Sequence, residues 1–344
     1  MFWFGFFASV GFFATIRNAS QATALSLSTN DGGVSRRDLL IGGTAALITT
    51  SSPLALPDCV HAAGDNELPI AVLGASGRTG ALCVASCLRR GLPVRALTRT
   101  GAWPPPKIDL RAVGFDGDAT TSNPLLTVGA CDVKDADSLA SSLLGCRAVI
   151  YAASASKAGG NSKDIDADGV IAAGKACLTN KVGRYVVISS GSTTRPNSLG
   201  FKFTEMAVAG IMTNKRLGEV GVAEMYANSG KSSFTIIRPG GLDEPKVKTI
   251  QGPTALEISQ GDVLAGFVNR ADVAEVSVEM ALSSAPNIQN TAFEVYYKNN
   301  VVPVDKKYRK YLDPDNGVVK RLSGNTYEEL FRGIKANYDY LGDP

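Results

Sequence analysis

Hydrophobic and polar positions alternate from about residue 69 onward between short strand-like runs and longer helical segments. Ile70–Leu73 is an apolar run, and Ala81–Arg90 repeats apolar residues at helical spacing until Gly91 ends the segment. Pro93–Thr98 is again strand-like. A strand, a helix and a second strand within about 30 residues indicate an α/β fold with parallel strands. Nearer the end, the pattern over Thr326–Tyr340 predicts an amphipathic helix that begins with a capping box. We expect its apolar face to pack on the core, and partner binding is the alternative.

The first 62 residues differ in composition from the rest and predict a targeting leader. Met1–Ile16 is nearly all apolar and aromatic, and Arg36-Arg37 precedes a mildly hydrophobic run that ends in the small-residue pattern Val60-His61-Ala62. The arginine pair and the segment after it resemble a twin-arginine export signal, and the residues before them suit a composite plastid leader. An uncleaved anchor over residues 39–56 and other export routes are the alternatives. We therefore expect residues 1–62 to be a leader, and residues 63–344 to be one domain with a C-terminal lobe.

The turn between the first strand and the first helix has the spacing of a dinucleotide site. Gly74 permits a tight turn, Gly77 lets backbone N–H groups approach a diphosphate, and Gly80 allows the helix to pack on the sheet. The diphosphate would then lie at a helix N-terminus, where free N–H groups favour an anion. A simple strand–helix turn is the alternative. The residues predicted to bind the nucleotide here are Gly74, Ala75, Ser76, Gly77, Arg78, Thr79 and Gly80.

The end of the second strand favours NADP(H) as the cofactor. Units that bind NAD carry Asp or Glu about 20 residues after the glycine turn, where the carboxylate accepts from the ribose 2′-hydroxyl. This chain has Thr98-Arg99-Thr100 there. Arg99 would pair with a 2′-phosphate, and Arg78 would add a second contact. A solvated surface role is the alternative for Arg99.

Charge and composition exclude several other classes of function. The formal net charge is +3, and the basic residues are scattered, so we expect no nucleic-acid partner. The six cysteines form no CxxC pair, and the single histidine, His61, lies at the end of the predicted leader. A mature chain without histidine has no Ser-His-Asp or Cys-His catalysis and no histidine-ligated metal. We predict no metal site, and membrane association through the leader only.

From Ile70 to Val295 the chain resembles the atypical short-chain dehydrogenase/reductases, in particular the NAD(P)-binding, NmrA-like group. The resemblance implies a Rossmann-type doubly wound parallel sheet with a small C-terminal substrate lobe, built from the pieces after Arg238. It also implies that Asp132-Val133 contacts the adenine and that Pro239-Gly240 lies against the nicotinamide. Ala152, Ala153 and Ser154 match the segment beside the ribose. The matching strands and helices are Leu125–Ala130, Ala136–Leu144, Ala148–Tyr151, Asp166–Ala176, Arg184–Ser190, Phe234–Leu242 and Asn269–Ala274.

One departure from the family concerns proton transfer. Family reductases use a Tyr-x-x-x-Lys pair, in which the tyrosine exchanges the proton during hydride transfer. Lys215 matches the lysine, just before a predicted helix over Arg216–Ala227, but Ile211 stands at the tyrosine position. The candidate catalytic residues are therefore Lys215, Ser189 and Ser190, with Thr204 or a substrate-bound water as further proton sources. Surface and strand-end structural roles are the alternatives.

Two functions agree with these features. The first is an NADP(H)-dependent reductase in a plastid that acts on a small organic substrate with a non-standard proton donor. The second is a non-catalytic NADP(H)-binding assembly or redox-sensing factor with a protein partner in the plastid, suggested by Ile211. A thylakoid-lumen address would weaken the first, because NADPH supply is stromal.

Overall fold

The computed structural model describes residues 68–104, 106–243 and 248–336. The predicted leader over residues 1–62 lies outside the described residues, as does the end of the predicted C-terminal helix.

Most of the strands belong to one mainly parallel sheet. The strands are β1 (Ile70–Leu73), β2 (Val94–Thr98), β3 (Leu126–Ala130), β4 (Ala148–Tyr151), β5 (Arg184–Ile188), β6 (Ser233–Pro239), β7 (Gly241–Leu242), β8 (Leu256–Ser259), β9 (Leu264–Ala265), β10 (Phe267–Val268), β11 (Thr291–Tyr297) and β12 (Val302–Pro303). Over the described part of the chain, the 8-stranded sheet has the order β3-β2-β1-β4-β5-β6-β11-β8. Its neighbours are parallel, except that β8 pairs antiparallel with β11. The predicted doubly wound, Rossmann-type sheet is confirmed.

Helices cover both faces of this sheet. They are α1 (Arg78–Arg89), α2 (Ala136–Ser142), α3 (Gly169–Thr179), α4 (Leu199–Ala207), α5 (Ile211–Tyr226), α6 (Arg270–Leu282) and α7 (Tyr327–Phe331). Alternate side chains of β1 enter different cores: Ile70 and Val72 pack with α1 and α6, whereas Ala71 and Leu73 pack with α2, α3 and α5. Both faces of the strand are buried, as expected for a parallel sheet.

A small lobe follows β6, as predicted, but it contains fewer elements than the sequence indicated. It consists of the pairs β7–β10 and β9–β12 and a 3-10 turn over Lys306–Leu312. β9 and the 3-10 turn pack in a separate apolar cluster that includes Tyr296 and Tyr308. The strand β11 and the helix α6, which were assigned to the lobe, instead complete the Rossmann sheet and its covering layer. That assignment was wrong because β11 pairs with β6, a long-range contact that local pattern does not reveal.

Two helix boundaries differ from the sequence prediction. The helix expected at Arg216–Ala227 begins earlier, at Ile211, so Lys215 lies inside α5 rather than before it. The helix expected over Thr326–Tyr340 ends at Phe331, two residues before Gly333, although Thr326 caps its start by accepting from the Glu329 N–H. Within the described ranges no helix is long and apolar enough to cross a membrane.

Candidate functional site

The glycine turn between β1 and α1 is built for close backbone approach. Gly74 has φ +79°, and a Cβ there would lie 2.6 Å from the Ala153 nitrogen. A Cβ on Gly80 would overlap the carbonyl oxygen of Gly74, which accepts a hydrogen bond of 2.9 Å from the Gly77 N–H. Side chains at these positions would separate the helix from the sheet. The turn therefore has the geometry that the sequence predicted.

The first turn of α1 is open to an anion. Gly77 occupies the N-cap position and supplies no side-chain acceptor, and the first turn carries no acidic residue. The N–H groups of Arg78, Thr79 and Gly80 have no partner within the helix, because the first N–H groups of any α-helix lack one. With the helix dipole, they make a favourable place for a phosphate. The residues present thus suit a dinucleotide diphosphate.

The other predicted nucleotide contacts lie at the same edge of the sheet. Ala152 and Ala153 follow β4, and the Ala152 N–H donates to the Leu73 carbonyl over 2.9 Å. Because the strand order reverses between β1 and β4, the crevice at their carboxyl ends is where this fold binds ligands. Asp132 and Val133 lie just beyond β3.

Arg99 follows directly after β2 at this edge. Its side chain is exposed and forms no hydrogen bond or ion pair within residues 68–104, 106–243 and 248–336. The guanidinium is thus available for a phosphate, and the predicted role of Arg99 stays a prediction.

Lys215 forms a buried ion pair with Asp166. Its ammonium nitrogen lies 2.7 Å from Asp166 Oδ1, with the Lys215 side chain 11% exposed and that of Asp166 fully buried. Asp166 also accepts from the Ser154 hydroxyl at 2.7 Å and from the Ala155 N–H at 2.9 Å. Lys215 is therefore aimed at the segment after β4, beside the predicted ribose contacts, rather than at solvent.

Ser189, at the end of β5, is joined to a buried ionic network. Its hydroxyl donates to Glu219 Oε1 over 2.6 Å, and Glu219 Oε2 pairs with Arg238 at 2.7 Å. Burial opposes ionisation of Glu219, but Arg238 and the Ser189 hydroxyl outweigh it and hold the pKa of that carboxyl below its ordinary value. An ionised carboxylate has only acceptor atoms, so the Ser189 proton is committed to Glu219.

The remaining predicted residues lie after β5, at the Pro239-Gly240 turn and on α4. The Ser190 hydroxyl donates to the Gly191 carbonyl at 3.2 Å. Gly191 in turn donates its N–H to the Pro239 carbonyl, which brings the end of β5 beside the Pro239-Gly240 turn. A Cβ on Gly240 would overlap the Gly266 carbonyl, so this turn also needs glycine. Thr204 lies on the exposed side of α4.

A small cavity connects several of these groups at the ends of β4 and β5. Its lining residues are Tyr151, Ala153, Asp166, Val170, Val187, Ile188, Ser189 and Lys215. No site role was predicted from sequence for Tyr151, Asp166 or Glu219. Tyr151 and Asp166 could have been found from sequence. Tyr151 ends a predicted strand at the binding edge, and Asp166 begins a predicted helix there. Glu219 gave no such signal, since its partners come from distant segments.

The fold and the glycine turn together define a Rossmann-type nucleotide-binding protein. The family of NAD(P)H-binding domains matches residues 74–284, more than half of the chain. The chain therefore belongs to this NAD(P)H-binding family.

Similar proteins include a curated plant protein and several solved structures. The chain is 26% identical over 224 residues to Protein TIC 62, chloroplastic, of Oryza sativa subsp. japonica; the match covers 62% of this chain and 42% of that protein. An oxidoreductase from Lactococcus lactis superposes with a TM-score of 0.49 at 17% identity, covering 67% of this chain and 91% of the other. A short-chain dehydrogenase/reductase from Veillonella parvula in complex with NADP gives 0.48 at 16% identity, covering 66% and 94%.

In the described ranges, no group of three or more His, Cys, Asp or Glu side chains could hold a metal ion. The cysteines among them, including Cys83 and Cys87, are free and buried. Burial raises the pKa of the Cys87 thiol to about 12, which leaves it an inert packing group.

Proposed function

We propose that the protein binds NADP(H) in preference to NAD(H) and acts as a nucleotide-binding factor in a plastid, without tyrosine-dependent reductase chemistry. Nicotinamide nucleotide binding is a property of the family. The preference for the phosphorylated form is supported by Arg99, an exposed cation directly after β2 where NAD-selective units carry a carboxylate.

The observation that carries the non-catalytic role is the commitment of the proton-bearing side chains around the cavity. The Tyr151 hydroxyl donates to the Ile165 carbonyl at 2.6 Å, Ser189 donates to Glu219, and Lys215 pairs with Asp166. Transfer of a proton from any of them to a substrate would break a buried hydrogen bond or leave a buried carboxylate uncompensated. Such losses cost about 1 to 3 kcal/mol or more.

Tyr151 does not replace the missing tyrosine. Burial, and then the nearby Asp166 carboxylate, raise the pKa of its hydroxyl well above the ordinary value. A catalytic tyrosine needs a shift in the opposite direction, so that its proton is exchanged near neutral pH. Ile211 itself is buried with Phe201 and Met212 in a small apolar cluster. An apolar residue that packs in the core thus occupies the tyrosine position.

A plastid address is supported by two independent features. Residues 1–62 have the composition of a composite leader with an arginine pair, and the curated relative is named as chloroplastic. The chain spans 42% of that relative's length. A protein partner in the plastid is therefore part of the proposal only. The thylakoid is proposed from the leader alone.

A reductase is the second candidate, and one structural feature favours it. A cleft of about 190 Å³ lies between the segment after β5 and the lobe. It would admit a small organic substrate that takes its proton from water. The lining residues are Thr194, Arg195, Pro196, Asn197, Ser198, Asp305, Lys307 and Tyr308.

Measurement of binding and turnover on one preparation separates the two candidates. We expect NADPH to quench intrinsic fluorescence at micromolar concentrations, with no NADPH oxidation above background across carbonyl, quinone and alkene panels. Ser189→Ala should leave that background unchanged. Sustained turnover with any substrate would establish the reductase and refute the binding-factor proposal, and its loss in Ser189→Ala would identify Ser189 rather than water as the proton donor.

A further inference from the structure

Two arginines meet one carboxylate beside the glycine turn. Arg78 is the first residue of α1, and Arg270 is the first residue of α6, which packs against α1. Both helices begin at the carboxyl edge of the sheet, because each runs antiparallel to the strands it covers. Arg78 Nη1 lies 3.4 Å from Asp243 Oδ2, and Arg270 Nη1 contacts the same oxygen.

Arg270 is the more buried of the two arginines, and one of its guanidinium nitrogens lacks a well-aligned hydrogen bond. The Arg270 side chain is 10% exposed, and its Nη1 atom makes no well-aligned hydrogen bond, although the Asp243 carboxylate lies against it. Burial, followed by the charge of Arg78, lowers the pKa of Arg270 to about 10. A buried guanidinium nitrogen without a well-aligned hydrogen bond is costly. The pair therefore favours an anion with more acceptor atoms than one carboxylate oxygen.

Asp243 is held in place by its backbone. Its N–H donates to the Val268 carbonyl at 3.1 Å, next to the β7–β10 pair. Its φ of +63° lies in the left-handed region, which Asp tolerates better than most residues. The residue stands four positions after Pro239, on the segment that continues from the Pro239-Gly240 turn. Its carboxylate is thereby presented to the start of α1, where the diphosphate is expected.

We propose that Arg270 and Arg78 bind the diphosphate of the nicotinamide nucleotide, and that Asp243 competes with that diphosphate for the same two guanidinium groups. The diphosphate brings several anionic oxygens and so satisfies both cations better than Asp243 Oδ2 does. This inference rests on the proposed nucleotide binding and adds to it a second anchor and an internal competitor.

The position of α6 assigns these arginines to the diphosphate rather than to the 2′-phosphate. α6 packs over β4 and β5, on the side of α1 away from β2. Arg99, the predicted 2′-phosphate contact, follows β2. NADH and NADPH share the diphosphate and differ in the 2′-phosphate. Changes at Arg270 or Asp243 must therefore affect both nucleotides by the same factor.

Calorimetric titration of the full chain with NADPH and with NADH tests this inference. Asp243→Asn, which removes the competing charge and keeps the side-chain size, should tighten binding of both nucleotides by roughly threefold. Arg270→Gln should weaken both by about tenfold or more, and Arg270→Lys should weaken both less. Glu328→Gln, which alters an exposed ion pair on α7, is the control and should change neither.

Failure of this inference and failure of the proposed nucleotide binding give different results. Unchanged affinities in Asp243→Asn, or a loss confined to NADPH in the Arg270 variants, would overturn the inference while leaving nucleotide binding intact. A wild-type chain that binds neither nucleotide would instead refute the proposed function. If Arg270→Gln fails to fold, as judged by circular dichroism, Asp243→Asn and Arg270→Lys decide the question.

Discussion

Lys215 differs from an ordinary helical lysine because its side chain is 11% exposed and its ammonium is paired inside the fold. Its ammonium is bound to Asp166, which lies on the π-helical turn Lys163–Asp168 before α3, and the pair is nearly inaccessible to water. Lys215 and the Ser154 hydroxyl share one oxygen of Asp166, so the carboxylate joins α5 to the segment after β4. The lysine thus has a structural function that does not depend on catalysis.

Lys215→Met should destabilise the protein, because it leaves Asp166 charged and buried without its cation. We expect the free energy of unfolding to fall by about 3 kcal/mol. The double variant Lys215→Met/Asp166→Asn should recover much of this loss, since it removes the unpaired charge. Urea unfolding of the three proteins provides the comparison, and equal stability of Lys215→Met and wild type would contradict the account.

Residue types at the binding edge were predictable from sequence, but the bonds between them were not. Gly74, Gly77 and Gly80 could be assigned because a tight turn and a close helix require glycine at these spacings. The commitment of Ser189 to Glu219 was not predictable, because β5 and α5 approach each other only in the folded chain. That contact changes the interpretation of Ser189 from a proton source for a substrate to a hydroxyl whose proton is bound to Glu219.

Among the elements, the first strand–turn–helix unit was the most completely specified by sequence. Its apolar run, glycine turn and helical periodicity all indicate the same structure. The start of α5 was missed for a physical reason. Gly210 precedes it without a capping side chain, and the first N–H groups are instead satisfied by Glu205 of α4, which accepts from Met212 at 2.7 Å. A cap supplied from another helix leaves no local signal.

Gly80→Ala should disrupt the contact between α1 and the turn. The added Cβ overlaps the Gly74 carbonyl, which is backbone and cannot rotate away, so the N-terminus of α1 must shift. We expect at least tenfold weaker NADPH binding, since each 1.4 kcal/mol of lost interaction is a factor of about ten.

Gly200→Ala is the matched control for Gly80→Ala. Gly200 also lies in a helix, α4, but a Cβ there would meet its nearest neighbour at an ordinary 3.5 Å. Its affinity for NADPH should match wild type, and its stability should be equal or slightly higher because alanine favours helix. Similar affinities in both alanine variants would show that the turn is not crowded as described.

A buried charged network joins the sheet to the lobe. Arg238 on β6 pairs with Glu219 on α5 and with Glu294 on β11, and Glu294 also accepts from the Asp262 N–H beside β9. Burial, and then the Asp262 carboxylate, raise the pKa of Glu294 to about 8, against the effect of Arg238. One cation thus stabilises several carboxyl groups.

This raised pKa predicts that stability falls as pH rises. Between the ordinary pKa of glutamate, about 4.3, and a folded-state pKa of about 8, the folded chain holds a proton that the unfolded chain has lost. Stability should therefore decline from about pH 5 until about pH 8 and then level off, as far as Glu294 is concerned. Glu294→Gln should flatten this decline, making the variant more stable than wild type near pH 9 by about 1 kcal/mol or more. Thermal unfolding followed across pH would show it, and a variant with the same slope as wild type would contradict the assignment.

The proposed function depends on a nicotinamide dinucleotide binding where the Gly74–Gly80 turn meets α1, with Arg99 selecting the phosphorylated form. The most direct measurement is a calorimetric titration of the wild type and of Arg99→Ala with NADPH and with NADH. We predict tighter binding of NADPH than of NADH, and a loss of that preference in Arg99→Ala with NADH affinity unchanged. A folded protein that responds to neither nucleotide would contradict the account as a whole, and a preference that survives in Arg99→Ala would contradict the role given to that residue.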